Sequence, residues 1–159
     1  MVAQIHDILL QNDSVTDVEY PPGFDWQTSM AAVKALKPQA ERILGQSLQL
    51  DDQVQDASFF AELFVLGDGA VGPTGVTTMV FKIAIRFSTF GKMATIHTNS
   101  AASALDKYPV ARIADLLVQH GFQYIPAEAL GERYDGKLKG LDRSVASEAT
   151  WWYRFFEYM

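Results

Sequence analysis

The sequence predicts a single α+β domain over residues 1–159, with an antiparallel sheet of about four strands and helices packed mainly on one face. Three observations lead to this fold class. Apolar residues recur at helical spacing near the start of the chain and again at 109–120. Between residues 58 and 99 they alternate with polar residues, as in strands. No linker, repeat or low-complexity tract divides the chain.

Two helices are predicted in the first 45 residues. Residues 2–11 place their apolar side chains on one side of a helix, and residues 12–25 contain the Pro and Gly of a loop. Asp25 is suited to cap the second helix, which Gly45 would end. Because Pro38 has no backbone N–H, we expect a break or kink near residues 35–37.

Three strands are predicted next, over residues 58–66, 76–88 and 93–99. A turn at residues 90–91 connects the last two and fixes their register, because a slip by one residue would mix apolar and polar faces. The expected opposite pairs are Ile85 with Ile96, Phe87 with Ala94, Arg86 with Thr95, and Ala84 with His97.

The C-terminal third contains a predicted helix at 109–120, stopped by Gly121, and a short apolar segment at 122–125. A further short helix is expected to begin at Pro126 and to reach about Tyr134, followed by an irregular stretch at 137–149. Residues 150–159 carry aromatic side chains in both alternating rows, which predicts a final strand covered on both faces.

Composition limits the classes of function. The net charge is −6, and the segments 1–33 and 43–81 each contain five acids and no Lys or Arg. Nucleic-acid binding through a broad basic surface is therefore disfavoured, because phosphate neutralisation needs clustered cations. No apolar run is long enough to cross a membrane, and the N-terminus lacks the pattern of a secretory signal, so we expect a cytoplasmic protein.

None of the local motifs predicts a cofactor or a metal. The sequence Gly-Asp-Gly-Ala-Val-Gly at 67–72 matches a dinucleotide-binding pattern, but a strand follows it instead of a helix, so we interpret it as a hairpin. The three histidines lack the spacing of zinc ligands. Asp51, Asp52 and Asp56 lack the alternation of a calcium loop. Glu62 and Glu157 could form an acid–base pair, but no motif places them together.

One group of residues nevertheless indicates a pocket. His97 lies on the polar face of its predicted strand beside Arg86, and an imidazole there can serve as a ligand or a general base. A small-ligand-binding or enzymatic domain would place its pocket between sheet and helices. The residues predicted to line it are Arg86, Thr95, His97 and Tyr124.

The last third of the chain resembles small bacterial immunity-type proteins, which bind and neutralise toxins in the cytoplasm. The resemblance is carried by Tyr134-Asp135-Gly136 and by the aromatic segment 150–158, after a similar helix and the segment 121–125. It implies a non-enzymatic inhibitor that binds a toxin domain, and it implies no catalytic residues.

The sequence thus favours a protein-binding module over an enzyme. The acids Asp51, Asp52, Asp56 and Asp68 would steer a basic toxin domain towards the chain. Arg154 and Tyr158 would contribute to the partner surface, since Arg and Tyr are enriched at interfaces. The small-ligand domain is the alternative, and an obligate homodimer is a third hypothesis.

Overall fold

The computed structural model describes residues 2–141 and 148–159. The helices are α1 Val2–Asn12, α2 Trp26–Leu44, α3 Val110–Gln119, α4 Ala127–Leu130 and α5 Trp151–Phe156, with a 3₁₀ turn at Ala102–Leu105. The strands are β1 Gln49–Asp51, β2 Phe59–Leu66, β3 Ala70–Val71, β4 Thr77–Thr78, β5 Phe81–Ser88, β6 Met93–His97 and β7 Gln123–Tyr124.

The main sheet has five strands in the order β1-β2-β5-β6-β7. Its pairs are antiparallel except for β6 and β7, which run parallel, so the α+β class is confirmed. Five strands are present where about four were expected: β2, β5 and β6 correspond to three of the predicted strands, the short strands β1 and β7 add to the edges, and the strand predicted at 150–159 does not join the sheet. The register of β5 and β6 is the one that the alternation predicts, including Arg86 opposite Thr95 and Ala84 opposite His97.

The larger core lies between the sheet and the helices α2 and α3. Leu63, Ile85 and Ile96 stand opposite one another on adjacent strands and are buried there. Asp25 caps α2 as predicted, its side chain accepting a hydrogen bond from the Thr28 N–H at 3.2 Å. The break expected at Pro38 is absent, since α2 continues through it. Buried residues on both sides of Pro38 hold the two halves of α2 against one core: Met30, Val33, Leu36 and Ala40.

The other face of the sheet is covered as well. A second core joins α1, α4 and α5 to the β5–β6 turn, and its members include Leu9, Leu130 and Phe155. Side chains that alternate with the first core, such as Met93 on β6, reach this cluster. Helices therefore pack on both faces of the sheet, whereas the sequence predicted coverage mainly on one.

The strand predicted at 150–159 is wrong, because its centre is the helix α5. Thr150 caps this helix by accepting a hydrogen bond from the Tyr153 N–H at 3.3 Å. Trp151 stacks on Phe155 with ring centroids 5.7 Å apart, four residues further along the helix. The aromatic residues satisfy helical spacing as well as alternation, and the cap together with packing selects the helix.

The glycine-rich segment at 67–72 belongs to a hairpin, as predicted. Strands β3 and β4 pair antiparallel just beyond the ends of β2 and β5, and no helix follows the glycines. Gly75, with φ near 77°, permits the tight connection. The single strand expected at 76–88 is interrupted at residues 79–80, and the helix begun at Pro126 ends at Leu130, short of Tyr134. Part of the loop predicted at 137–149 lies outside the described residues.

Candidate functional site

A row of polar residues crosses the sheet on the face opposite the larger core. Asp51, Glu62, Arg86 and Thr95 occupy directly opposite positions on β1, β2, β5 and β6. The alternation of strand side chains puts all four on one face, one residue away from the apolar row at Leu63. Glu62, Arg86 and Thr95 are buried. A buried polar row in a sheet has to find partners within the protein.

Glu62 is the centre of this row. Its Oε1 accepts hydrogen bonds from Arg86 Nε at 2.8 Å and from His97 Nε2 at 2.6 Å, and its Oε2 lies 3.3 Å from Arg86 Nη2. Burial raises the pKa of the Glu62 carboxyl, but the hydrogen bonds from His97 and Arg86 outweigh it, so that the pKa is lower than the usual 4.5. The group is therefore an ionised carboxylate held by two basic side chains.

Helix α5 covers this cluster. Arg86 Nη1 donates to the Phe156 carbonyl at 2.7 Å, and the guanidinium lies 4.2 Å from the centroid of the Phe59 ring. The Trp152 ring packs against His97 at 4.9 Å, nearly edge to face. The hydrogen-bond donors of Arg86 thus bind Glu62 and the C-terminal end of α5. Its role in this geometry is to anchor that helix to the sheet.

A cavity of about 890 Å³ opens beside His97. It lies at the carboxyl ends of the parallel strands β6 and β7, next to the first turn of α3, which is where ligand sites form in parallel sheets. Two of the four predicted pocket residues, His97 and Tyr124, line it. Arg86 and Thr95 do not. The Thr95 hydroxyl is buried and has no hydrogen-bond partner within residues 2–141 and 148–159.

Arg154, predicted for a partner surface, lies in the interior with 0% exposure. Its Nε donates to Asp13 Oδ1 at 2.7 Å, and its two Nη atoms donate to the carbonyls of Val18 and Asp17. Asp13 also accepts from the Tyr134 hydroxyl at 2.6 Å. Burial, and then this hydrogen bond, raises the pKa of Tyr134. Arg154 therefore holds the loop after α1 against α5 and cannot contact a partner in this structure.

The four acids predicted to steer a partner lie at two separate positions around the sheet. Asp51 ends β1, and Asp52 and Asp56 follow it. Tyr158 forms an isolated bridge with Ala57 and is 51% exposed. Burial, and then the charge of Asp51, raises the pKa of Tyr158. We call residues 51–56 with Tyr158 the acidic edge. Asp68 lies beyond the other end of β2, roughly 20 Å away along the strand by the usual rise per residue.

Sequence reasoning did not single out Glu62 or Asp13 for their observed roles. The signal for Glu62 was a lone acid within the apolar segment Phe59–Leu66, since a charge in a buried strand needs a partner. Its suggested companion Glu157 instead accepts from Trp152 Nε1 at 3.0 Å. Asp13 stands in an ordinary polar loop and offered no signal.

Neither a metal site nor a membrane span is found in the described residues. No group of three or more His, Asp or Glu side chains within them is arranged to hold a metal ion. None of the described helices has both the length and the apolar character needed to cross a bilayer. No protein-family model, curated protein or solved structure matches this chain. The resemblance to immunity-type proteins therefore stays a prediction.

Proposed function

We propose that this chain is a non-enzymatic protein-binding module that neutralises a basic toxin domain, in the manner of bacterial immunity proteins. The observation that carries the proposal is the acidic edge. Its three carboxylates, Asp51, Asp52 and Asp56, form no ion pair with any Lys or Arg in the described part of the chain. They are left to attract a basic partner, and the exposed Tyr158 beside them supplies an aromatic contact.

The position of the acidic edge suits a protein partner. β1 is the first strand of the sheet and pairs only with β2, so its outer side carries backbone groups that no described strand uses. Such an edge can accept a strand or loop of another protein. The charge would raise the rate of encounter, while contacts with Tyr158 and the strand would hold the complex.

We expect the combined variant Asp51→Lys, Asp52→Lys, Asp56→Lys to slow association with the toxin domain by roughly tenfold or more at low ionic strength. Reversing the three charges removes the steering field without touching either core. The measurement is stopped-flow association with a purified basic toxin domain encoded next to this chain, repeated over a range of salt. The rate difference should shrink as salt rises.

The matched control reverses three exposed acids elsewhere, Asp7, Asp115 and Glu132, and so has the same net charge. It should keep most of the association rate. Asp68→Lys alone tests whether the hairpin belongs to the same surface. Equal rates for the two triple variants would show that the acidic edge is not the binding surface. Failure of every neighbouring toxin domain to bind the wild type would overturn the proposed function itself.

A second candidate function is small-ligand binding, and the cavity beside His97 is the observation that favours it. Its lining includes His97, whose Nε2 is fixed by the ionised Glu62, an arrangement that orients an imidazole towards a ligand. β6 and β7, which contribute to the cavity, lie across the sheet from β1. Charge reversal at the acidic edge would therefore leave small-ligand binding unchanged and separate the two candidates.

A further inference from the structure

The cavity beside His97 carries a more specific inference about its ligand. We propose that it binds an organic cation, a guanidinium or ammonium group, through two carboxylates, two tyrosine rings and the imidazole of His97. This rests on the second candidate function, which requires only that some small ligand enters the cavity. The residues that carry the inference are Asp106, Tyr108, Tyr124, Glu128 and His97, all of which line it.

The charge of the lining favours a cation. Asp106 and Glu128 are its two carboxylates, and no Lys or Arg lines the cavity. Neither carboxylate forms an ion pair or a side-chain hydrogen bond in the described ranges, so both are available to a ligand. Glu128 lies close enough to Tyr124 for its charge, after burial, to raise the pKa of that hydroxyl.

The aromatic residues suit the same ligand. The faces of tyrosine rings attract cations, and guanidinium groups stack on them. Tyr108 already illustrates this preference, because the Lys107 ammonium lies 5.5 Å from its ring centroid. A ligand cation would meet the Tyr124 ring as well as the carboxylates, and it would share the Tyr108 ring with the Lys107 ammonium. That combination typically recognises alkylammonium and guanidinium groups.

His97 provides an independent observation that points to a donor-rich ligand. The residue is 8% exposed and lines the cavity. Its Nε2 is committed to the Glu62 carboxylate, which as an ionised group only accepts, and Nδ1 has no hydrogen-bond partner in the part of the chain that the structure describes. When the ring is neutral, Nδ1 is the acceptor, and an N–H donor of the ligand would then satisfy it.

The first turn of α3 also borders the cavity, and a helix N-terminus commonly attracts anions. Here that turn has little to offer an anion. Pro109 has no N–H, and the N–H groups of Val110, Arg112 and Ile113 are already bonded to the carbonyls of Tyr108 and Pro109. Within the described residues, only the Ala111 N–H of this turn remains for a ligand. The carboxylates at the rim would repel an anion in addition. The balance of the lining therefore favours a cation.

The test compares four small probes of similar size: n-butylguanidinium, n-butylammonium, n-butyramide and n-butyrate. Each is titrated into the full chain while NMR signals of the His97 ring and of the Tyr124 amide are followed. We expect the two cations to bind, the guanidinium more tightly, and both His97 and Tyr124 signals to shift. Blocked Gly-Arg-Gly, compared with Gly-Gln-Gly, shows whether the group belongs to a free small molecule or to a protein's arginine.

Three variants localise the effect. Asp106→Asn and Glu128→Gln should each weaken cation binding about two- to fivefold, the usual range for an exposed carboxylate. Asp115→Asn, an exposed acid of α3 outside the cavity, should leave the affinity unchanged.

Butyrate binding tighter than the cations would overturn the cation assignment and leave the cavity a ligand site. Binding of no probe or peptide would overturn the inference, while the second candidate function requires only that some other small ligand binds in the cavity. If cation binding shifted neither the His97 nor the Tyr124 signal, or if its affinity were unchanged by Asp106→Asn and Glu128→Gln, the cation would lie outside the cavity. Either result would also overturn the inference. Failure of toxin binding would not affect any of these readouts.

Discussion

At the scale of single residues, two buried arginines each connect α5 to another part of the fold. Arg86 joins β5 to β2 through Glu62 and to the end of α5 through the Phe156 carbonyl, and Arg154 joins α5 to the loop after α1 through Asp13. Each guanidinium lies on an aromatic ring, Phe59 for Arg86 and Phe90 for Arg154. Both charges are thus paired and packed, which is the condition for burying them.

Arg154→Met should lower the free energy of unfolding by about 3–5 kcal/mol, because it leaves Asp13 as an uncompensated buried charge. The matched control is Arg133→Met, whose partner Glu148 lies 3.7 Å away and is exposed with it. An exposed pair of that kind contributes at most about 1 kcal/mol. Urea denaturation followed by far-UV circular dichroism measures both. Equal losses in the two variants would contradict the interior role of Arg154.

The sequence predicted some of these residues and missed others for a physical reason. Alternation along 76–88 placed Arg86 and, through the turn at 90–91, His97 on one polar face, and the structure confirms this register. Alternation is a local property of a strand, so it can be read from neighbouring residues. The pairing of Arg154 with Asp13 spans 141 positions in the chain. No local pattern encodes such a contact.

At the scale of elements, α5 is a helix where a strand was also possible, and α2 is continuous where a break was expected. The segment 151–156 is aromatic enough for a strand, but its Thr150 cap and the bond from Arg86 to the Phe156 carbonyl require a helix. In α2 the packing of Val33 and Ala40 on one core outweighs the cost of a proline between them. In α2 tertiary packing outweighs local propensity, whereas in α5 the local cap and the tertiary contacts favour the same structure.

Pro38→Ala should stabilise the protein by about 1–2 kcal/mol, less than the full 3 kcal/mol of the propensity scale, since alanine also frees the unfolded chain. The new N–H would complete the helical ladder, and residue 38 is exposed, so no core contact changes. Thermal unfolding compares it with Lys34→Ala, an exposed change between two good helix formers that should have little effect. A loss of stability in Pro38→Ala would mean that the proline relieves strain elsewhere in α2.

At the scale of the whole molecule, the sheet separates two cores and carries a polar layer on one side of it. The acidic edge lies at β1, whereas the cavity beside His97 lies at β6 and β7, so the two candidate sites occupy opposite parts of the sheet. In the part of the sheet between these two sites, the cluster of Glu62, Arg86 and His97 anchors α5 to the sheet. The global stability of the fold should therefore depend on the charge of Glu62.

That dependence has a definite sign. The pKa of Glu62 in the folded protein lies below its usual 4.5, so the carboxylate stabilises the folded state above about pH 4.5 and loses this effect as pH falls through the lowered pKa. We expect Glu62→Gln to cost about 3 kcal/mol at pH 7. The difference between wild type and variant should be constant above that pH window and shrink steadily below it.

Denaturant titrations at several pH values between 7 and 3 measure this difference directly. Glu132→Gln, an exposed acid with no ion pair in the described residues, is the control and should follow the wild type throughout. The difference in the free energy of unfolding between wild type and Glu62→Gln could instead widen towards low pH. That result would show that burial, and not the hydrogen bonds from His97 and Arg86, determines the direction in which the pKa of the Glu62 carboxyl is shifted. In that case Glu62 would be held protonated, and the polar layer beneath α5 would lack the charge that orders it.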